Sequence, residues 1–211
     1  MGITYSKDED ISEDKRNIFR GLSHEKVKGF VSIYSKHSTP PILDFQDLSF
    51  FIRNSMETNE NDDMLVISIW EIFSRNDFLL THEFLSCLIL LSDCNWKMRL
   101  DLLFDLFKCL GIDEIMYDDV IMAFKSIIFG MSKIWKQNPN YLPIDEISRL
   151  CEDLASHSYA KFDKDIEESL NRHEFVSWAF ERFKESRTIA NFDSLKLHYM
   201  QSQFNSRVIT Y

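Results

Sequence analysis

Five glycines and four prolines in 211 residues leave little material for tight turns and hairpins. The reading therefore starts from a mainly helical chain. The four cysteines, Cys87, Cys94, Cys109 and Cys151, show no Cys-x-x-Cys spacing and stand in or beside apolar helical stretches. That argues against a zinc or disulfide framework and for reduced, mostly buried thiols in a cytosolic setting. Basic clusters are missing and the formal net charge is −10, so the electrostatic footprint of a nucleic-acid binder is absent. No apolar run is long enough to span a bilayer, and no signal peptide is read. There is no G-x-G-x-x-G, no Walker loop and no G-x-S-x-G. His82-Glu83 and His173-Glu174 each open a His-Glu-Phe run, but neither has a second His at the spacing a zinc protease needs. The chain is expected not to be an enzyme.

What is present is a core. The chain is 45% hydrophobic with 18 phenylalanines, a folded rather than a disordered composition, and long enough for one large or two small domains. Its acidity fits cation binding or a basic partner helix, and a solvated acidic surface would explain it as well.

The most informative stretch is Lys161-Phe-Asp-Lys-Asp-Ile-Glu-Glu-Ser-Leu-Asn-Arg-His-Glu-Phe175. Counted from Asp163, it places oxygen donors at loop positions 1, 3, 5, 7, 9 and 12. These are Asp163, Asp165, Glu167, the Ser169 carbonyl, Asn171 and Glu174, the spacing of an EF-hand calcium loop. Calcium takes six to eight oxygens, which this set can supply. Leu170 falls at position 8, the aliphatic position that pairs with a partner loop, and Phe162 and Phe175 flank the loop as core residues. Position 6 is Glu168 where Gly is usual. A left-handed conformation there costs roughly 1 kcal/mol. The alternatives are a working site and a decayed loop kept for its shape.

Three further helix–loop–helix units frame this one. Val27, Phe30, Val31 and Tyr34 recur at helical spacing after Ser23, and Asp44 can cap a helix carrying Leu48, Phe51 and Ile52. The intervening loop, with Pro40-Pro41, has almost no carboxylates. The second unit ends in Leu79, Glu83 and Phe84, but its loop, Ser74 to Glu83, is two residues short and is expected to be empty. Residues 92–95 read as a joint between halves, with Asn95 as a cap. The third loop, Lys108 to Asp119, has full length and Ile115 at position 8, but Lys108, Leu110 and Ile112 stand where ligands belong. Val120, Ala123, Phe124, Ile127 and Ile128 form its outgoing stripe, and a connector is expected from Gly130 to Leu142. Pro143 opens the next helix, whose face is Ile147, Leu150, Cys151 and Leu154. Asn171 and Glu174 have cap-box spacing.

Met1-Gly-Ile-Thr-Tyr-Ser-Lys7 matches the N-myristoylation pattern at Gly2, the alternative being a chance glycine. One acyl chain gives only weak, reversible membrane contact. The segment 188–211 is too apolar for a free tail. It is expected to pack in a groove, or to fold against a partner.

Together the four units, the Met-Gly start and the fourth loop resemble the EF-hand sensor superfamily, with neuronal calcium sensors and calcineurin B-like proteins, including tescalcin and calaxin types, as the nearest branches. The resemblance covers residues 24–187, and only 163–175 is specific. It implies an all-α fold of two EF-hand pairs (23–93 and 94–187) between an N-terminal segment (1–22) and a C-terminal extension (188–211). It also implies one calcium site and an apolar groove for an amphipathic partner helix. The expected function is a calcium-binding regulatory adaptor. The alternative is a calcium-independent structural subunit of a cytoskeletal or axonemal assembly. The expected location is cytoplasmic, with membrane-associated and cytoskeletal variants, and no nucleic acid is involved.

Overall fold

The computed structural model describes residues 19, 22–36, 40–55, 62–109, 111–134 and 144–186. Gly2 and most of the N-terminal segment, Leu110, residues 135–142 of the connector, Pro143 and the extension 188–211 lie outside them. Among the described residues the chain is mostly helical, with eight helices and four short strands.

Helix α1 (His24–Lys36) buries Val27, Phe30 and Val31, the stripe expected from their spacing. Strand β1 (Ile42–Leu43) follows, then α2 (Phe45–Ser55), which starts where Asp44 Oδ1 accepts the Asp47 N–H at 2.8 Å. Its buried residues are Leu48, Phe51 and Ile52. Helix α3 (Asp62–Phe73) leads to β2 (Leu79–Leu80) and α4 (Thr81–Leu91). The shortened loop between α3 and β2 closes as a tight hairpin. Arg75 and Phe78 exchange backbone hydrogen bonds of 2.7 and 3.1 Å, and Asn76 and Asp77 turn with φ of 52° and 64°. Asn and Asp tolerate that left-handed region better than most residues.

Strands β1 and β2 pair antiparallel, Ile42 opposite Leu80 and Leu43 opposite Leu79. The carboxylate-poor first loop is thus a full structural partner of the second. The later half repeats the plan. Helix α5 (Trp96–Phe107) is capped by Asn95 Oδ1, which accepts the Met98 N–H at 3.0 Å. Strand β3 (Glu114–Met116), α6 (Tyr117–Ile134), α7 (Ile144–Ala160), β4 (Ser169–Asn171) and α8 (Arg172–Ser186) complete the order. Strands β3 and β4 are antiparallel, with Ile115 opposite Leu170. Leu43, Leu79, Ile115 and Leu170 are all buried, so each strand pair is pinned by one apolar residue from each loop.

The buried side chains form one cluster from Phe19 to Ala179 that crosses residues 92–95 without a break. Phe51, Phe73 and Phe84 meet edge-on at 6.0 and 6.3 Å, and Phe30 stacks on Phe51 at 5.8 Å. Tyr34 Oη and His82 Nε2 lie 2.9 Å apart. The His82 ring stacks on Phe107 at 5.0 Å, which ties α1, α4 and α5 together.

One boundary departs from expectation. Helix α6 does not end at Gly130 but runs on to Ile134. Gly130 is a contact residue there: a Cβ on it would stand 2.5 Å from the Glu83 carbonyl oxygen and 2.6 Å from Cys87 Sγ. The missing side chain lets α6 lie directly on α4. The intolerance of packed interiors to added volume gives an expected cost of about 1–3 kcal/mol for Gly130→Ala. Urea unfolding of the two proteins checks this; an unchanged midpoint would mean that the crossing is looser than described.

Candidate cation-binding loop

The candidate loop begins where α7 ends. The Lys164 N–H bonds the Tyr159 carbonyl at 3.2 Å and the Asp163 N–H bonds the Ala160 carbonyl at 3.3 Å. Asp163 has φ 53°. This pair of bonds around one left-handed residue is a Schellman stop. Asp163 is therefore the residue that ends the helix. The next turn is held by its own carboxylates: Asp165 Oδ1 accepts the Glu167 N–H at 3.2 Å, and Glu168 Oε2 accepts the Asp165 N–H at 2.7 Å. Glu168 was expected to carry the strained left-handed turn. It is not among the residues of positive φ. A side chain with a Cβ avoids that region, and the chain places its left-handed residue at Asp163 instead.

Beyond the turn, β4 leads into α8 through a reciprocal cap. Asn171 Oδ1 accepts the Glu174 N–H at 3.0 Å, and Glu174 Oε2 accepts the Asn171 N–H at 2.8 Å. This is the cap-box expected from their spacing. The Ser169 hydroxyl donates to Glu114 Oε2 at 2.6 Å across the strand pair.

The centre of the loop holds a side chain of the chain itself. Lys164 Nζ donates to the Ser169 carbonyl at 2.6 Å and to Glu174 Oε2 at 2.6 Å. Partial burial pushes the Glu174 carboxyl up, while the Lys164 ammonium and the Asn171 N–H outweigh it and leave the group below its ordinary value. Of the six residues read as ligands, Ser169 and Glu174 converge on Lys164. Asp163, Asp165 and Glu167 are exposed, and Asn171 serves the cap. Among the described residues no group of three or more His, Cys, Asp or Glu side chains is placed to hold a metal ion. In this arrangement the six residues do not fit a calcium ion, because the two oxygens that do converge already bind an ammonium.

The neighbouring loops are also served by basic side chains. Glu83, the closing residue of the second loop, is buried with its carboxylate 2.6 Å from Lys133 Nζ on α6. That approach lacks hydrogen-bond geometry at the carboxylate and acts as a charge contact. Lys133 directs a hydrogen bond to the Phe73 carbonyl at 2.9 Å. In the third loop, Arg172 of α8 binds Asp113 through Nε at 3.1 Å and Nη2 at 2.7 Å, and reaches Asp105 at 2.6 Å. Lys108 adds a bond to Asp113 at 3.1 Å, and the Arg172 guanidinium lies 4.6 Å over the Phe104 ring. Lys164, Lys133 and Arg172 were not picked out from the sequence. Lys164 sits between two presumed ligands, and Lys133 is remote from Glu83 along the chain, so spacing alone carries no sign of either contact.

No protein-family model matches the chain, and no curated protein matches it either. Among the described residues no helix is long and apolar enough to cross a membrane.

The Arg172 hydrogen bonds, with those of Lys108 behind them, hold the Asp113 carboxyl down to about 2. A carboxyl depressed below its unfolded value of about 3.9 adds stability above that pH, and this is lost as pH falls through the folded value. Between about pH 4 and about pH 2 the wild type should therefore lose more stability than Asp113→Asn. Chemical unfolding at stepped pH reads the difference, and parallel losses in the two proteins would remove Asp113 from the account.

Proposed function

We propose that this chain is a non-enzymatic docking adaptor built from two EF-hand-type pairs, receiving an apolar partner segment in a cavity between the β1–β2 pair and α6. The paired helix–strand–helix units, with an aliphatic residue of each loop opposite its partner, support the EF-hand reading. The observation that carries the docking reading is an open, mostly apolar cavity of about 320 Å³ lined by Ile42, Phe78, Leu79, Leu80 and Phe129, with Arg75, Glu83, Ser132 and Lys133 as its polar members. Ile42, Phe78 and Leu80 are 49%, 54% and 43% exposed. Large exposed apolar side chains gathered at one concavity are a feature of binding surfaces. The net charge of −10 favours a basic partner, and an amphipathic helix laid in a groove is the mode that fits.

A second reading, the calcium-regulated adaptor, is favoured by the full twelve-residue frame from Asp163 to Glu174. It requires Lys164 to leave the Glu174 carboxylate. Myristoylation of Gly2, a weak membrane contact through it and a cytoskeletal or axonemal location are further proposals. Each can be tested on the full chain, the first by mass measurement after co-expression with an N-myristoyltransferase.

A designed Leu/Lys amphipathic peptide, titrated into the full chain, should bind and should displace a hydrophobic dye from the cavity. Phe78→Asp should weaken that binding at least about tenfold, since a carboxylate in an apolar contact is poorly solvated. Equal affinity of the variant and the wild type would overturn the groove assignment.

A further inference from the structure

In an EF-hand the backbone carbonyl at loop position 7 and the carboxylate at position 12 bind the same ion. Here those two groups are the Ser169 carbonyl and Glu174, and both meet the Lys164 ammonium at 2.6 Å. An ammonium is a compact point charge with three donors and no acceptor. It can satisfy two converging oxygens and remain partly hydrated at its third donor. The distances are short ones, as expected for charge-assisted bonds.

The second loop arrives at a similar arrangement by another route. Its closing Glu83 lies 2.6 Å from Lys133 Nζ, which also bonds the Phe73 carbonyl at the end of α3. In one loop the lysine comes from the second loop position. In the other it comes from a helix packed across the core. Both closing glutamates, each followed by a phenylalanine that opens into the core, are met by an ammonium.

We propose that Lys164 is the resident cation of the fourth loop. It stands in for a divalent ion, tying the position-7 carbonyl to the position-12 carboxylate so that the β3–β4 pair and the start of α8 form without metal. This rests on the EF-hand-type reading of residues 163–174 given above. A covalently attached cation cannot dissociate, so the loop has no metal-free state to switch to. The adaptor would hold one conformation whatever the calcium level.

The test uses the full chain as wild type, Lys164→Met, Lys164→Arg and Glu174→Gln. Each is melted in excess chelator and in millimolar calcium, and each is titrated with calcium by calorimetry. The wild type should melt at the same temperature in both solutions. Lys164→Met should melt lower in chelator, recover in calcium, and bind one calcium at least about tenfold tighter than the wild type, because Glu174 and the Ser169 carbonyl are then free to coordinate. A wild-type melt raised by calcium, with the rise lost in Glu174→Gln, would overturn the proposal. So would a Lys164→Met melt equal to the wild type in chelator. If Lys164→Met is destabilised and calcium restores nothing, the stand-in idea and the EF-hand reading of this loop fall together. The lysine then remains a structural tie, and the docking reading is judged separately by Phe78→Asp. Should Lys164→Met fold only in calcium, the proposal is supported provided that Lys164→Arg, which keeps the charge, folds in chelator. Failure of both variants to fold in calcium would overturn it.

Discussion

Everything in this structure depends on α6 lying against α4 with no side chain between them at Gly130. The crossing brings the Glu83 backbone onto Gly130, and one helical turn further on it carries Lys133 to the Glu83 carboxylate. Both charges are nine-tenths buried there. Removing two charges from water is costly, and the cost is recovered only where the partners sit close and their remaining groups are bonded. Lys133 meets that condition through the Phe73 carbonyl, while Glu83 Oε2 is held by charge alone. The pair therefore fixes the register of α6 against both α3 and α4. Since α6 also begins at β3 and packs on α7, the geometry of the later loops follows from the same crossing.

Four basic residues of this acidic chain reach back to its loops. Lys164, Lys133, Lys108 and Arg172 each contact a loop carboxylate. Exposed ion pairs contribute little one by one, so the number of pairs is not the point. Arg172 matters through its geometry: a planar fork joins Asp113 and Asp105 while its face rests on Phe104. Polar recognition and apolar packing are served by one side chain, and the third loop is held to α8 by it.

The sequence carried some of this plainly and hid the rest for physical reasons. Asp44, Asn95 and the Asn171–Glu174 cap were legible because a cap is a contact within one turn. Leu79, Ile115 and Leu170 were legible as paired aliphatic positions because each loop frame fixes where its strand falls. Ile42 and Leu43 were missed as a strand because the first loop was judged by its lack of carboxylates, whereas pairing needs only two extended apolar residues. Gly130 was misread as a break. A glycine in an apolar helix has two meanings, and only the helix packed against it decides between them. The lysine contacts were hidden for a similar reason: a flexible four-carbon stem can reach many positions, and which one it takes is set by the fold.

The departures within the fourth loop have a common cause. A calcium loop wraps its early ligands around the ion by means of a left-handed residue at its centre, usually glycine. Glu168 does not adopt that conformation, and the left-handed residue is Asp163 at the helix end. Without the central turn, Asp165 and Glu167 stay at the surface, where Asp165 bonds backbone instead. Only the Ser169 carbonyl and the Glu174 carboxylate still converge. In this arrangement both accept from the Lys164 ammonium. The glutamate at position 6 and the lysine at position 2 thus belong to one arrangement: the first holds the surface turn through the Asp165 N–H, and the second supplies the positive charge that the converging oxygens need.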